Sequence, residues 1–203
     1  MNTQLEQWTS EFGRAYTDRN TLDWHVRVSA FRTMLEGLPL SRVLEVGCNR
    51  GHNLLALSNL LERDAEIVGI EPNSYAVQIA RASSTHAAVL RGNIFSLPFR
   101  TGYFDLAFTV GVLIHVPLDS LPAAICELSR VSSRFLLAAE YFAGQETAVP
   151  YRGQTDLLWK RNFLQHFEGC VPSARLLRSG FWGPEDGFDR VHWWLLEHSG
   201  NQA

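Results

Sequence analysis

Cysteine is scarce: Cys48, Cys126 and Cys170 are the only three in 203 residues, odd in number and with no short spacing between any two. That excludes a disulfide scaffold and makes a reducing compartment, the cytoplasm, the expected location. A large excess of one charge is missing too. With 18 Lys and Arg against 21 Asp and Glu, a formal charge of -3 and no basic stripe, the chain has no field for a phosphate backbone, so no nucleic-acid partner is expected. No apolar run approaches the ~20 residues needed to cross a bilayer. The start, Met1-Asn2-Thr3-Gln4-Leu5-Glu6, lacks the charged-then-apolar order of a leader, so neither a signal peptide nor a membrane partner is expected. Repeats and low-complexity tracts are absent, and no His pair or Cys cluster has ligand spacing, so no metal is expected.

What is present is ordinary for a globular chain: 46% hydrophobic and 19% charged residues, which fits neither disorder nor a fibre. This length buries about 70% of the unfolded surface, enough for one domain spanning residues 1–203. Two helices are expected at the start, Gln4 to Tyr16 and Leu22 to Leu38, broken by Thr17-Asp18-Arg19-Asn20 and forming a lid over residues 1–40. A core over residues 41–141 follows. Its strands are Ser41 to Val46, Glu66 to Glu71, Ala87 to Leu90, Phe104 to Val110 and Arg134 to Glu140. Helical patterns stand between them: Leu54 to Leu61, a helix capped by Asn73 with Tyr75, Ala76, Ile79 and Ala80 inward, and one after Pro117 with Pro122 in its first turn. Residues 142–203 contribute a substrate-side helix, Thr155 to Phe167, and two β-like runs, Ala174 to Phe181 and Val191 to His198, with no helix between them. Alternating strands and helices predict an α/β fold: a Rossmann-like, doubly wound sheet of seven strands, mostly parallel, closed by an antiparallel C-terminal hairpin.

The chemistry concentrates at the strand ends. In Val43-Leu-Glu-Val-Gly-Cys-Asn-Arg-Gly-His-Asn53, Gly47 and Gly51 follow the first strand and let backbone come close to a ligand. A dinucleotide turn needs glycine at 47, 49 and 52; Asn49 and His52 stand there instead, which counts against NAD or FAD. Glu71 ends the second strand, where a carboxylate accepts hydrogen bonds from two ribose hydroxyls.

The Glu-x-Gly-x-x-x-Gly turn resembles the first motif of class I S-adenosylmethionine (SAM)-dependent methyltransferases, although most members have Gly where Asn49 stands. Gly92-Asn93-Ile94-Phe95 resembles the family's adenine loop, with Asn93 replacing the usual acid and Ile94 against the ring. Phe104 to His115 resembles the fourth-strand motif: Asp105 opens the strand, and Thr109, Val110 and Gly111 pass along the cofactor. The resemblance covers residues 43–141 in family order. It implies SAM as cofactor, S-adenosylhomocysteine as product, and cofactor contacts from Tyr16, Arg19, Glu45, Asn53 and Pro72 besides those already named. Trp8 to Gly13, Tyr16, Arg19-Asn20, Tyr151-Arg-Gly153 and Trp159-Lys-Arg161 resemble a narrower group, the pseudaminic acid biosynthesis-associated methylases, which implies a polar, saccharide-like acceptor and places Tyr141, Tyr151 and Arg152 on the substrate side.

A hydroxyl acceptor needs a base. His115, on the loop after the fourth strand, has an ordinary pKa suited to that work, and Glu140, ending the fifth strand, is its rival. These two groups favour O-methylation of a small sugar-like metabolite by a monomer or homodimer. N- or carboxyl methylation of another metabolite, or a non-catalytic SAM-binding regulatory subunit, stay open as alternatives. The base-flipping motif of nucleic-acid methylases is missing after strand four, where Val110-Gly-Val-Leu-Ile-His115 stands.

Overall fold

The computed structural model describes residues 3–199. Residues 1, 2 and 200–203, part of the expected span 1–203 and of the expected start, lie outside the described residues. Two helices open the chain, α1 (Thr3–Thr9) and α2 (Glu11–Arg19), and α3 (Arg27–Leu35) follows a 3-10 turn at Trp24–Val26. The expected break therefore shifts from residues 17–20 to residues 20–23, and Ser10 adds a second break inside the first expected helix. Ser10 Oγ accepts from the Phe12 amide as an N-cap, whereas Thr17 Oγ1 donates to the Gly13 carbonyl and stays inside the helix.

β1 (Arg42–Val46), α4 (His52–Leu60), β2 (Glu66–Glu71), α5 (Ser74–Ser83), β3 (Ala87–Arg91), β4 (Phe104–Val110), α6 (Leu121–Val131) and β5 (Ser132–Glu140) form the alternating body. Asn73 caps α5 by accepting from the Tyr75 and Ala76 amides. Tyr75, expected to face inward, instead donates from its hydroxyl to Asp18, and Val77 takes the buried position. In the last quarter β6 (Thr147–Ala148) pairs with β7 (Trp159–Lys160), α7 runs Phe163–Cys170, and β8 (Arg175–Trp182) and β9 (Val191–Glu197) close the chain. The helix expected from Thr155 starts only at Phe163, because Trp159 and Lys160 pair as a strand and Asn162 caps the helix that follows.

Seven strands form one sheet in the order β3-β2-β1-β4-β5-β9-β8. β1 to β5 are parallel; β9 lies antiparallel to β5 and β8 antiparallel to β9, as the hairpin reading anticipates. Alternation along the strands gives the sheet two apolar faces. One packs Phe31, Met34, Leu54, Leu57 and Trp193 against α3 and α4, and the other packs Ile125, Leu128, Phe163, Phe167 and Trp194 against α6 and α7. Adjacent Trp193 and Trp194 thus serve opposite layers. Among the described residues no helix is long and apolar enough to cross a membrane.

This order makes β1 and β4 neighbours while their connections leave in opposite directions. A crevice opens beyond the carboxyl ends of strands at such a switch point, so the topology already says where a ligand goes.

Candidate functional site

A pocket enclosing about 1150 Å³, counting its open mouth, lies at that switch point. Its floor is the turn after β1. Gly47 (φ 81°) and Gly51 (φ 84°) take left-handed conformations, and so does Asn49 (φ 46°). Asn is the side chain that tolerates this region best after glycine, so the departure from glycine at 49 keeps the turn. It also adds a function: Asn49 Nδ2 donates to Thr17 Oγ1 at 3.0 Å and Asn49 Oδ1 accepts from Asn20 Nδ2 at 3.3 Å, clasping the turn to α2. Gly47 is required for a second reason, since a Cβ there would lie 2.4 Å from Val112 Cγ2 on the loop after β4.

Two buried carboxylates face the pocket from β1 and β2. Glu45 Oε1 accepts from Asn53 Nδ2 at 2.6 Å, and Asn53 Oδ1 accepts from Arg27 Nη1 at 2.6 Å, so the amide bridges acid and cation. Glu45 Oε2 is buried with no partner, and burial pushes the carboxyl up to about 8. An orphaned acceptor at the wall of a pocket fits a cationic donor from a ligand. Glu71 is differently placed. Its Oε2 accepts from the Asn49 amide and its Oε1 from the Asn73 amide, both at 2.9 Å, while burial raises it to about 7. Each oxygen keeps a lone pair for the pocket, but the same carboxylate also ties the β1 turn to the start of α5.

The third wall is the segment after β4. Glu140 is 0% exposed, and its Oε1 accepts from Thr109 Oγ1 and the Val112 and Leu113 amides while Oε2 accepts from the Ile114 amide, at 2.9 to 3.2 Å. It does not line the pocket. Expected as a rival base, it anchors the loop after β4, with four donors from residues 109–114 around its oxygens. His115 does line the pocket. Its Nδ1 lies 2.6 Å from the Leu157 carbonyl, and a carbonyl only accepts, so Nδ1 carries the proton and Nε2 the lone pair. Burial lowers the ring to about 4, below the ordinary histidine value expected from the sequence, so it is neutral at pH 7 but a weaker base than an ordinary histidine. Trp8 from α1 packs on it at 4.5 Å between ring centroids, and Tyr151 lies at 5.7 Å.

Of the residues expected at the site, Tyr16, Glu45, Gly47, Asn49, Asn53, Glu71, Pro72, Asn93, Ile94, Phe95, Val110, Gly111 and His115 line this pocket together. Asn93 does so with one lone pair of Oδ1 already taken by the Phe95 amide at 2.9 Å. Others stand apart. Gly51 packs under the turn against Ser84 and Ala80, Thr109 is buried on Glu140, and Arg19 is exposed at the end of α2. Tyr141 donates to Asp189, Tyr151 packs against the His115 ring without lining the pocket, and Arg152 is exposed beside the Tyr151 ring. Arg27 is the charged pocket residue that motif reading misses. One signal for it exists: it occupies the apolar stripe of α3, in helical register with Phe31 and Met34, where a cation needs a reason. Trp8, Gln4, Leu5, His52, Val116 and Pro117 enter only through tertiary contact.

Comparison with known proteins bears on this geometry. In sequence, 24-methylenesterol C-methyltransferase 2 of Oryza sativa subsp. japonica is 33% identical over 90 residues, 41% of this chain and 24% of that protein. O-methyltransferase rstn1 of Aspergillus nomiae is 28% identical over 121 residues, 57% of this chain and 49% of that protein. This chain thus spans less than half the length of either relative. In structure, magnesium protoporphyrin IX methyltransferase from Synechocystis PCC 6803 with bound SAM aligns with a TM-score of 0.72 at 15% identity, covering 98% of each chain, a likeness of fold. Residues 44–134, which carry the β1 turn, Glu71, the β3 loop and His115, match the family described as a methyltransferase domain. The match is to that segment, just under half of the chain, and the structural likeness is one of fold.

Proposed function

We propose that the protein transfers the methyl group of SAM to a hydroxyl oxygen of a small, neutral, sugar-like molecule. When bound, SAM supplies a methyl group already activated on a sulfonium, so the protein's own tasks are alignment, exclusion of water and removal of the acceptor's proton. For the cofactor, the orphaned Glu45 Oε2 and the Arg27 guanidinium suit the ammonium and carboxylate of its amino-acid end. The free lone pairs of Glu71 suit the ribose hydroxyls, and Asn93, Ile94 and Phe95 suit the base.

The observation that carries the acceptor reading is the neutral His115 ring, with Nδ1 bonded away and Nε2 left as an acceptor on the pocket wall. A hydroxyl gives up its proton to such a group, whereas a carboxylate needs no base and an amine needs only to arrive neutral. The uncharged part of the pocket lining, including Trp8 packed on His115, also favours a neutral molecule. Gln4, Leu5, Trp8, Val116 and Pro117 are uncharged, while the carboxylates and the guanidinium of the lining come from Glu45, Glu71 and Arg27. Aromatic faces such as Trp8 stack against the C–H face of a saccharide ring. The narrower resemblance through Trp8 to Gly13, Tyr151 to Gly153 and Trp159 to Arg161 supports the same acceptor class.

The test is purified protein with SAM and a metabolite extract, read as S-adenosylhomocysteine formed and one methylene of mass gained by a neutral hydroxylated compound. His115→Ala should lower turnover by at least about 100-fold with SAM affinity within a few-fold of the parent. Loss of less than about ten-fold at every pH removes His115 from the base role. A rate that climbs toward an amine's pKa even in the variant points to nitrogen. Binding of SAM with no S-adenosylhomocysteine formed favours a regulatory subunit, and binding of NAD in place of SAM overturns the reading altogether.

A further inference from the structure

Trp159-Lys160-Arg161 plays no part in the cofactor pocket, yet Arg161 is 1% exposed, an unusual place for a guanidinium. Its bonds say what it holds. Nη1 donates to the Val116 carbonyl at 2.6 Å and Nε to Glu146 Oε2 at 2.5 Å, with the group stacked over Trp159 at 4.9 Å. Val116 directly follows His115. Four residues before Arg161, the Leu157 carbonyl accepts a hydrogen bond from His115 Nδ1–H. One short segment thus grips the same turn twice, at the backbone beyond His115 and at the ring itself.

We propose that Arg161 is a positioning residue that fixes the tautomer of His115, by pinning residues 157–161 to the turn after β4. A ring nitrogen facing a carbonyl must carry the proton, so the Nε2 lone pair is aimed only while Leu157 stays beside the ring. The backbone bonds of this segment run elsewhere, Val149 donating to Leu158 and Arg161 to Tyr141, and do not reach the turn. The Arg161 side chain does. Without it the Val116 carbonyl loses a charge-assisted partner, and the segment loses its side-chain tie to the turn that holds Leu157 beside the ring. The titratable groups facing this arrangement are Glu146 and His166 around Arg161, and Tyr151 beside His115. The value of a fixed tautomer rests on His115 being the base, but the fixing itself does not.

The test uses the whole chain, labelled with ¹⁵N-histidine and saturated with S-adenosylhomocysteine, and reads the His115 ring by long-range proton–nitrogen spectra. In the parent the ring should show the Nδ1–H tautomer and no titration between pH 6 and 8. In Arg161→Gln it should become a mixture of tautomers and titrate nearer the ordinary histidine range, with S-adenosylhomocysteine affinity within about three-fold of the parent. Glu146→Gln, at a carboxylate 38% exposed, should shift the ring in the same direction by less, and it decides the matter if Arg161→Gln does not fold. A folded variant that keeps the parent's tautomer and titration overturns the proposal, as does a change matched by an equal loss of ligand affinity, which means general damage. Failure of the base reading shows up separately, as retained turnover in His115→Ala with the tautomer result unchanged.

Discussion

Binding of S-adenosylhomocysteine at pH 7 should release close to one proton from Glu45, and the pocket gives the magnitude. The carboxyl is fully buried, accepts one hydrogen bond from Asn53 and leaves Oε2 orphaned, and burial pushes it up to about 8. About 0.9 of the free protein therefore carries the proton at pH 7. Because the native value lies above the ordinary 4.5, the group stabilises the free fold fully below pH 4.5, and that contribution is lost as pH rises through 8. A ligand ammonium beside Oε2 favours the carboxylate, so binding and ionisation go together. Calorimetry at pH 7 in buffers of different ionisation enthalpy counts the protons. Glu71, raised to about 7, adds at most about 0.5, so Glu45→Gln isolates the first term: about 0.9 fewer protons released, with affinity lower by ten-fold or more for the lost charge-assisted bond. Affinity in the parent should rise from pH 6 to 8. No buffer dependence in the parent, or the same proton count in Glu45→Gln, refutes the assignment of Oε2 to the ligand's cation.

Glu71→Ala should weaken S-adenosylhomocysteine binding about ten-fold or more, and should also cost about 2 kcal/mol of stability, because the Asn49 and Asn73 amides lose their acceptor; titration and melting curves on the same sample check both. Glu140→Gln turns an amide donor toward a cluster of donors and should lower Tm by roughly 4–8 °C, about 2 kcal/mol for a chain this size; an unchanged Tm means the loop is held otherwise. Asn49→Gly keeps the left-handed turn but removes the clasp to Thr17 and Asn20, so trypsin should cut after Arg14 and Arg19 faster than in the parent, with bound S-adenosylhomocysteine slowing the parent's cleavage more than the variant's. Equal cleavage with and without ligand marks α1 and α2 as a fixed cap rather than a closing lid.

Much of this protein is legible locally. The strands read directly because parallel strands covered on both faces are short apolar runs, and the turn after β1 reads from glycines that only a left-handed backbone needs. Glu71 follows from its place at a strand end, where the topology puts the crevice, and Glu45 from the family motif that the β1 turn resembles. Long-range contact decided the rest. Nothing local distinguishes Glu140, aimed into backbone amides, from a strand-end base aimed at an acceptor; the difference is which amides of residues 112–114 come round to meet it. The 155–162 stretch carries helical spacing, but pairing with residues 147–148 outweighs its propensity and delivers the Leu157 carbonyl to His115. Arg27 becomes a pocket residue only when α3 packs beside α4 and Asn53 bridges it to Glu45. Periodicity and turn chemistry are properties of neighbours in the chain, so the sequence alone determined the sheet, its layers and most of the strand-end residues that line the pocket. The orientation of buried polar groups depends on partners tens of residues away, so only the tertiary structure decided which acids face the pocket, which hold the loops, and how the histidine is aimed.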